Sequence, residues 1–188
     1  GTLIYEGNWL NGRRDGNGKL LSQEGVKRFK GLFAKGLIEG KGSEFREDGS
    51  LMYQGDFLKG QRHGKGRYFL PGKILIYDGD FAENTRHGNG TEFREDGSKV
   101  YQGNFKFSSR HGKGKIFSAD EKVLFEGIFE EGKPDCKGKE YRFDGSLAFE
   151  GEFDKGERTG RGLVFGTDGS KLYDGNFIKG SREGEGTE

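Results

Sequence analysis

The chain contains a single cysteine, so no disulfide can close within it, and the lone thiol fits a reducing compartment. Apolar residues are scarce, at 30% against 34% charged, and the mean hydropathy is −0.90. No apolar run approaches the roughly 20 residues of a membrane-spanning helix, and Ile74 to Tyr77 reads as a short strand. Neither sign of charge dominates. Thirty-two basic residues against 31 acidic ones leave a net +1, too weak a field to indicate nucleic acid as a partner. No helical period of 3.6 occurs.

What the chain does have is glycine, 37 residues of it. Without a period, such a composition would mean a disordered, low-complexity chain. A period is present. An aromatic recurs every 24 residues, at Tyr5, Phe29, Tyr53, Tyr77, Tyr101, Phe125, Phe149 and Tyr173. Counted from that ring as position 0, glycine keeps to positions 2, 7, 11, 13 and 20, which account for 35 of the 37. Position 4 is aromatic in all eight repeats and position 16 in six, so 22 of the rings stand in three columns. Placement this regular means that glycine answers backbone demands at fixed points. A repeat of this length is the signature of a tiled array. Residues 1–188 form one continuous array that starts and stops inside repeats, and it reads as part of a longer one.

Each unit holds two extended segments with a period of two, such as 51–58 and 64–70. Tyr53, Gly55 and Phe57 share one face, and Met52, Gln54 and Asp56 the other. In the second segment Gly64, Gly66 and Tyr68 oppose Lys65, Arg67 and Phe69. Residues 59–63 are the hairpin loop, and Asp-Gly-Ser at 48–50, 96–98, 144–146 and 168–170 is the return turn. Asn84 and Ser108 replace the loop glycine. Pro71-Gly72 and Asp120-Glu121 replace the return turn, so those two corners are expected to differ in geometry. The fold expected is all-β: a single-layer antiparallel meander of consecutive hairpins, elongated, twisted and curved.

Three constellations invite a functional reading. His63, His87 and His111 share position 10, but equivalent positions lie about 10 Å apart, too far to ligate one metal. No metal or other cofactor is expected. Arg14, Arg62, Arg86, Arg110, Arg158 and Arg182 occupy position 9 and are expected to form a basic rim on the loop edge, extended by lysines at position 12. Such a rim suits anionic lipid headgroups. The ring columns, through Tyr53, Phe57, Phe69, Tyr77, Phe81, Phe93, Tyr101 and Phe105, are expected to line a partly open apolar trough. A trough of this kind suits an amphipathic helix or a second copy of the chain. The paired glycines, as at Gly64 and Gly66, lack the following helix and lysine of a phosphate loop. Nothing composes a nucleophile–base set, and the chain reads as a non-enzyme.

The recurring pattern YxGxFxxGxxxGxG, as in YQGDFLKGQRHGKG from Tyr53, YDGDFAENTRHGNG from Tyr77 and YDGNFIKGSREGEG from Tyr173, resembles the MORN (membrane occupation and recognition nexus) repeat. The resemblance covers essentially the whole chain. It implies a rod-like or half-pipe single-layer sheet that serves as a scaffold or binding module, without catalysis, in junctophilins, parasite cytoskeletal proteins, lysine methyltransferases and plant lipid kinases. The leading reading is a cytoplasmic protein–protein scaffold, associated with membrane or cytoskeleton and able to self-associate. The alternatives are a peripheral module binding anionic phospholipids through the arginine rim, and a recognition segment of a larger enzyme.

Overall fold

The structure is a computed structural model and describes residues 3–187. It is all-β, and apart from one turn of 3-10 helix at Pro71–Lys73 its regular elements are antiparallel strands. Two compact units divide between Gly97 and Ser98. In the first, the strands are β1 (Ile4–Leu10), β2 (Arg13–Leu21), β3 (Lys27–Ala34), β4 (Leu37–Phe45), β5 (Leu51–Leu58), β6 (Gln61–Leu70), β7 (Ile74–Ala82) and β8 (Thr85–Phe93). In the second they are β9 (Lys99–Lys106), β10 (Ser109–Phe117), β11 (Val123–Glu130), β12 (Lys133–Tyr141), β13 (Leu147–Asp154), β14 (Glu157–Phe165), β15 (Lys171–Ile178) and β16 (Ser181–Thr187). Within each unit every strand pairs with its neighbours in the chain, which is the single-layer meander that the hairpin pattern predicts.

Register within a repeat is set by a bulge that the alternation of residue types does not reveal. Between β5 and β6, Tyr53 faces Tyr68 and Gly55 faces Gly66, but Asp56 then faces His63. Gly64 and Lys65 are extra on β6. Gly64 takes a φ of +60°, and the equivalent residue of each repeat is likewise left-handed, including Cys136 at +56°. A left-handed L-residue costs about 1–2 kcal/mol, which accounts for the glycine column at position 11. The Asp56 carboxylate accepts the freed Lys65 amide at 3.2 Å, and Asp80 accepts that of Asn89 at 2.9 Å.

The turns correct three expectations. The hairpin loop is two residues long, since Gln61 to His63 already belong to β6. Lys59 and Gly60 both have positive φ, 50° and 83°, the type I′ geometry that matches strand twist. Glu83-Asn84 and Phe107-Ser108 adopt it too. The Asp-Gly corners, by contrast, are wider. The Gly49 amide bonds the Arg46 carbonyl at 3.0 Å, the Arg46 amide bonds the Ser50 carbonyl at 2.9 Å, and Gly49 takes the left-handed position. Of the two corners expected to differ, only Pro71-Gly72 does. At the other, Glu121 bonds Ser118 and Ser118 bonds Lys122 just as their counterparts do, with Glu121 left-handed at φ +56°.

The core is a ladder of rings on one face of the sheet. Within each unit the position-0 rings meet the position-4 rings of their own repeats edge-to-face, and the first three also meet those of the following repeats. Tyr53 stands 5.2 Å from Phe57 and 5.0 Å from Phe81; Phe149 stands 5.4 Å from Phe153 and 5.1 Å from Phe177. This T-shaped packing is worth about 0.5–1.5 kcal/mol per pair beyond the area buried. Buried tyrosines need a partner for the hydroxyl. Tyr53, Tyr77 and Tyr101 donate to the carbonyls of Asp56, Asp80 and Asn104 at 3.0 Å each.

Burial drives the Tyr53 and Tyr77 phenols well above the ordinary tyrosine range. A group whose folded-state pKa is raised contributes stability below its unfolded value, near pH 10, and loses it as pH rises further. The thermal midpoint should therefore stay flat from about pH 7 to 9 and fall steeply above about 10. Circular-dichroism melts across that range check it, and an unchanged midpoint at about pH 11 would contradict the burial of these hydroxyls.

Candidate functional site

The six position-9 arginines lie on the ring face. The expected loop-edge row is instead a row of guanidiniums over the rings. Arg14 stacks over Tyr5 at 5.7 Å, Arg62 over Tyr53 at 5.3 Å, Arg86 over Tyr77 at 5.5 Å and Arg110 over Tyr101 at 4.8 Å. Arg158 and Arg182 sit at 4.4 Å over Phe149 and Tyr173. Three also pair with glutamates at position 15: Arg62 with Glu44 at 2.8 Å, Arg86 with Glu92, and Arg158 with Glu140. The reason is register. With β6 beginning at Gln61, Arg62 faces Phe57 across the ladder and shares its side of the sheet.

The trough rings divide into two groups. Tyr53, Phe57, Tyr77, Phe81, Tyr101 and Phe105 are buried and hold the layer together. Phe69 and Phe93 are half-buried. The histidines do not converge: His63 is paired across from Asp56, and Nδ1 of His111 lies 3.0 Å from the Glu130 carboxylate. Among the described residues no group of His, Cys, Asp or Glu is arranged to hold a metal. Cys136 is exposed.

The opposite face carries the feature that the sequence reading passes over. Across β1 to β7 runs a groove of about 800 Å³, floored by the backbone of Gly7, Gly18, Gly31, Gly42, Gly55 and Gly66. Ring and groove share these glycines, the ring on one side and open space on the other. Rows of side chains from positions 1, 12 and 14 wall it, among them Lys30, Lys41, Gln54, Lys65 and Arg67. Strand alternation away from the ring columns is the signal that identifies these positions. A second overlooked signal is a doubled period. Glu44, Glu92 and Glu140, each followed two residues later by Arg46, Arg94 or Arg142, recur every 48 residues, whereas Leu20, Tyr68, Ile116 and Val164 fill position 15 in the other repeats. Arg46 and Arg142 staple repeats together, donating to the carbonyls of Leu51 and Leu147 at 2.8 Å and to those of Phe69 and Phe165 in the next repeat.

A one-layer sheet tiled from like hairpins, whose rings form the core and whose open face is polar and grooved, defines a repeat-built interaction module. The MORN repeat family model matches at residues 5–26, 29–51, 53–72, 77–99, 101–122, 125–147, 149–171 and 173–188, and the chain belongs to the MORN-repeat family. Such repeats are generally non-catalytic binding modules, associated with membrane and cytoskeletal proteins. A comparison with curated protein sequences found no match. Among the described residues no helix is long and apolar enough to cross a membrane.

Proposed function

We propose that the protein is a non-catalytic scaffold that holds a segment of a partner protein along its sheet. The observation that carries this reading is the groove across β1 to β7, a long concavity on the face that the ring core leaves uncovered. A segment of a partner chain lies along the glycine floor and bonds the polar walls. Of the ring-column residues expected to line a trough, Phe69 and Phe93 are the two left half-buried. The lipid reading draws less support, because the arginines on which it rests are engaged with rings. A second copy of the chain remains a partner of the same general kind.

The test plugs the groove from its outer face without touching the rings. Ser43→Trp with Gln54→Trp puts two indoles into the channel. The immobilised double variant, still folded by circular dichroism, should capture fewer than about a tenth of the lysate proteins held by the native chain. Light scattering on the same samples reads self-association. Capture unchanged by the plug would overturn the assignment to this face.

A further inference from the structure

Of the eight hairpin tips, one is out of character. The others pair Asn, Lys or Glu with Gly, or with Asn at Glu83-Asn84, whereas Phe107-Ser108 puts an aromatic and a serine there. Both are left-handed, at φ +48° and +67°, where Asn-Gly would serve best. The phenylalanine is 67% exposed, so little burial offsets the strain. A tip that gives up stability to present a ring to solvent marks a contact.

The first unit holds the complement. Beside its ring ladder lies a recess of about 1080 Å³, bounded by the return corners at 22–26 and 45–47. Its lining includes the buried rings of Phe29 and Phe57 and the half-buried Val26, Ile38, Phe45 and Met52. Four repeats on, Lys122, Pro134 and Ala148 replace Val26, Ile38 and Met52, so the second unit does not repeat this apolar wall. We infer that the Phe107-Ser108 tip of one chain docks in the recess of a second copy, a heterologous contact between unlike surfaces.

Three observations favour a second copy as the occupant. The projecting ring and the apolar recess stand on one chain, one in each unit, so two copies supply both halves. The recess also offers little charge to any other guest. Of Glu24, Glu44, Glu47, Arg28 and Arg46 around it, Glu44 is held by Arg62, Arg46 by the carbonyls of Leu51 and Phe69, and Arg28 lies 3.8 Å from Glu47. The attraction is therefore that of apolar surface. Finally, a bilayer is a poor host for the tip. The loop residues of the second unit, 106–109, 130–133, 154–157 and 178–181, set four lysines against four carboxylates, which leaves no pull toward anionic lipid.

The inference is independent of the groove, so either reading can fail alone. Sedimentation velocity on the full chain, from about 1 to about 200 μM, covers the affinity of a contact with one anchoring ring. The native chain should gain mass with concentration, and do so equally in about 0.5 M salt. Phe107→Asn with Ser108→Gly, the sequence of the first tip, should weaken association more than about tenfold. In dilute solution the same variant should melt about 2–4 °C higher, because the strain is gone. Val26→Lys with Met52→Ala, which borrows the second unit's residues, should weaken association from the recess side. Mixed together, the two double variants should pair, since one keeps the recess and the other the tip. Phe143→Glu removes a ring 70% exposed at a return corner and should leave association within about twofold. The inference is overturned by a native chain that stays monomeric, by association that the tip variant retains, or by double variants that do not pair. A lower melting point in the tip variant, or an equal loss from Phe143→Glu, overturns it too.

Discussion

Gly66→Ala should lower stability by more than about 3 kcal/mol, although it adds one methyl group in a residue of ordinary extended backbone. A Cβ there would stand 2.3 Å from the Tyr53 hydroxyl oxygen and 2.4 Å from Cε2 of the same ring. The ring has nowhere to go. Phe57 and Phe81 fix it edge-to-face on two sides, and its hydroxyl is tied to the Asp56 carbonyl. Overpacking in a tight core costs typically 1–3 kcal/mol, and here relief means displacing a ring that anchors two repeats. Gly60→Ala is the control, since nothing lies within 4 Å of its would-be Cβ and its only penalty is the left-handed φ of +83°. That substitution should cost about 1 kcal/mol. Urea unfolding of both variants decides it, and equal losses would mean that the ring yields.

The second large effect is expected from Phe129→Ala. Phe129 is 0% exposed and stands between two position-0 rings, 5.1 Å from Tyr101 and 5.3 Å from Phe125. Removing a buried phenylalanine costs about 3–5 kcal/mol, and here two edge-to-face contacts go with it. In a repeat array the loss falls mainly on nearest neighbours. Amide exchange should therefore accelerate most in β9 to β13, with the distant repeats of the first unit still protected. A uniform acceleration through all sixteen strands would show a single cooperative block instead. The same reasoning governs Tyr77→Ala with Phe81→Ala: both rings are buried, so that pair would report on folding before it reported on any partner.

The architecture was legible because the period of 24 and the period of two coincide on the rings. Tyr53, Gly55 and Phe57 alternate without interruption, so the ring face and the single-layer meander follow directly from residue types. The second strand was less transparent. Its bulge at Gly64 and Lys65 is a backbone event that the side chains do not announce, and a loop drawn over 59–63 puts Arg62 at an edge. In the structure that arginine is on β6 and stacks on Tyr53. The acidic and basic residues of positions 1, 12 and 14 were equally visible in the sequence. Their meaning depended on knowing that the rings fill their own side so completely that the groove lies on the other.

Every ladder described above joins strands that follow one another along the chain, and the pairing from Ile4 to Leu21 in the first hairpin spans only 17 positions. Sheet proteins are ordinarily slow to fold because they must close long loops before any contact rewards them. A hairpin array has no such step. Each tile closes on a short tether and offers its ring to the next, so assembly can begin at any hairpin and spread in both directions. For an all-β chain this protein should have an unusually low contact order, and it should reach its native state at the pace of local zippering rather than of global search.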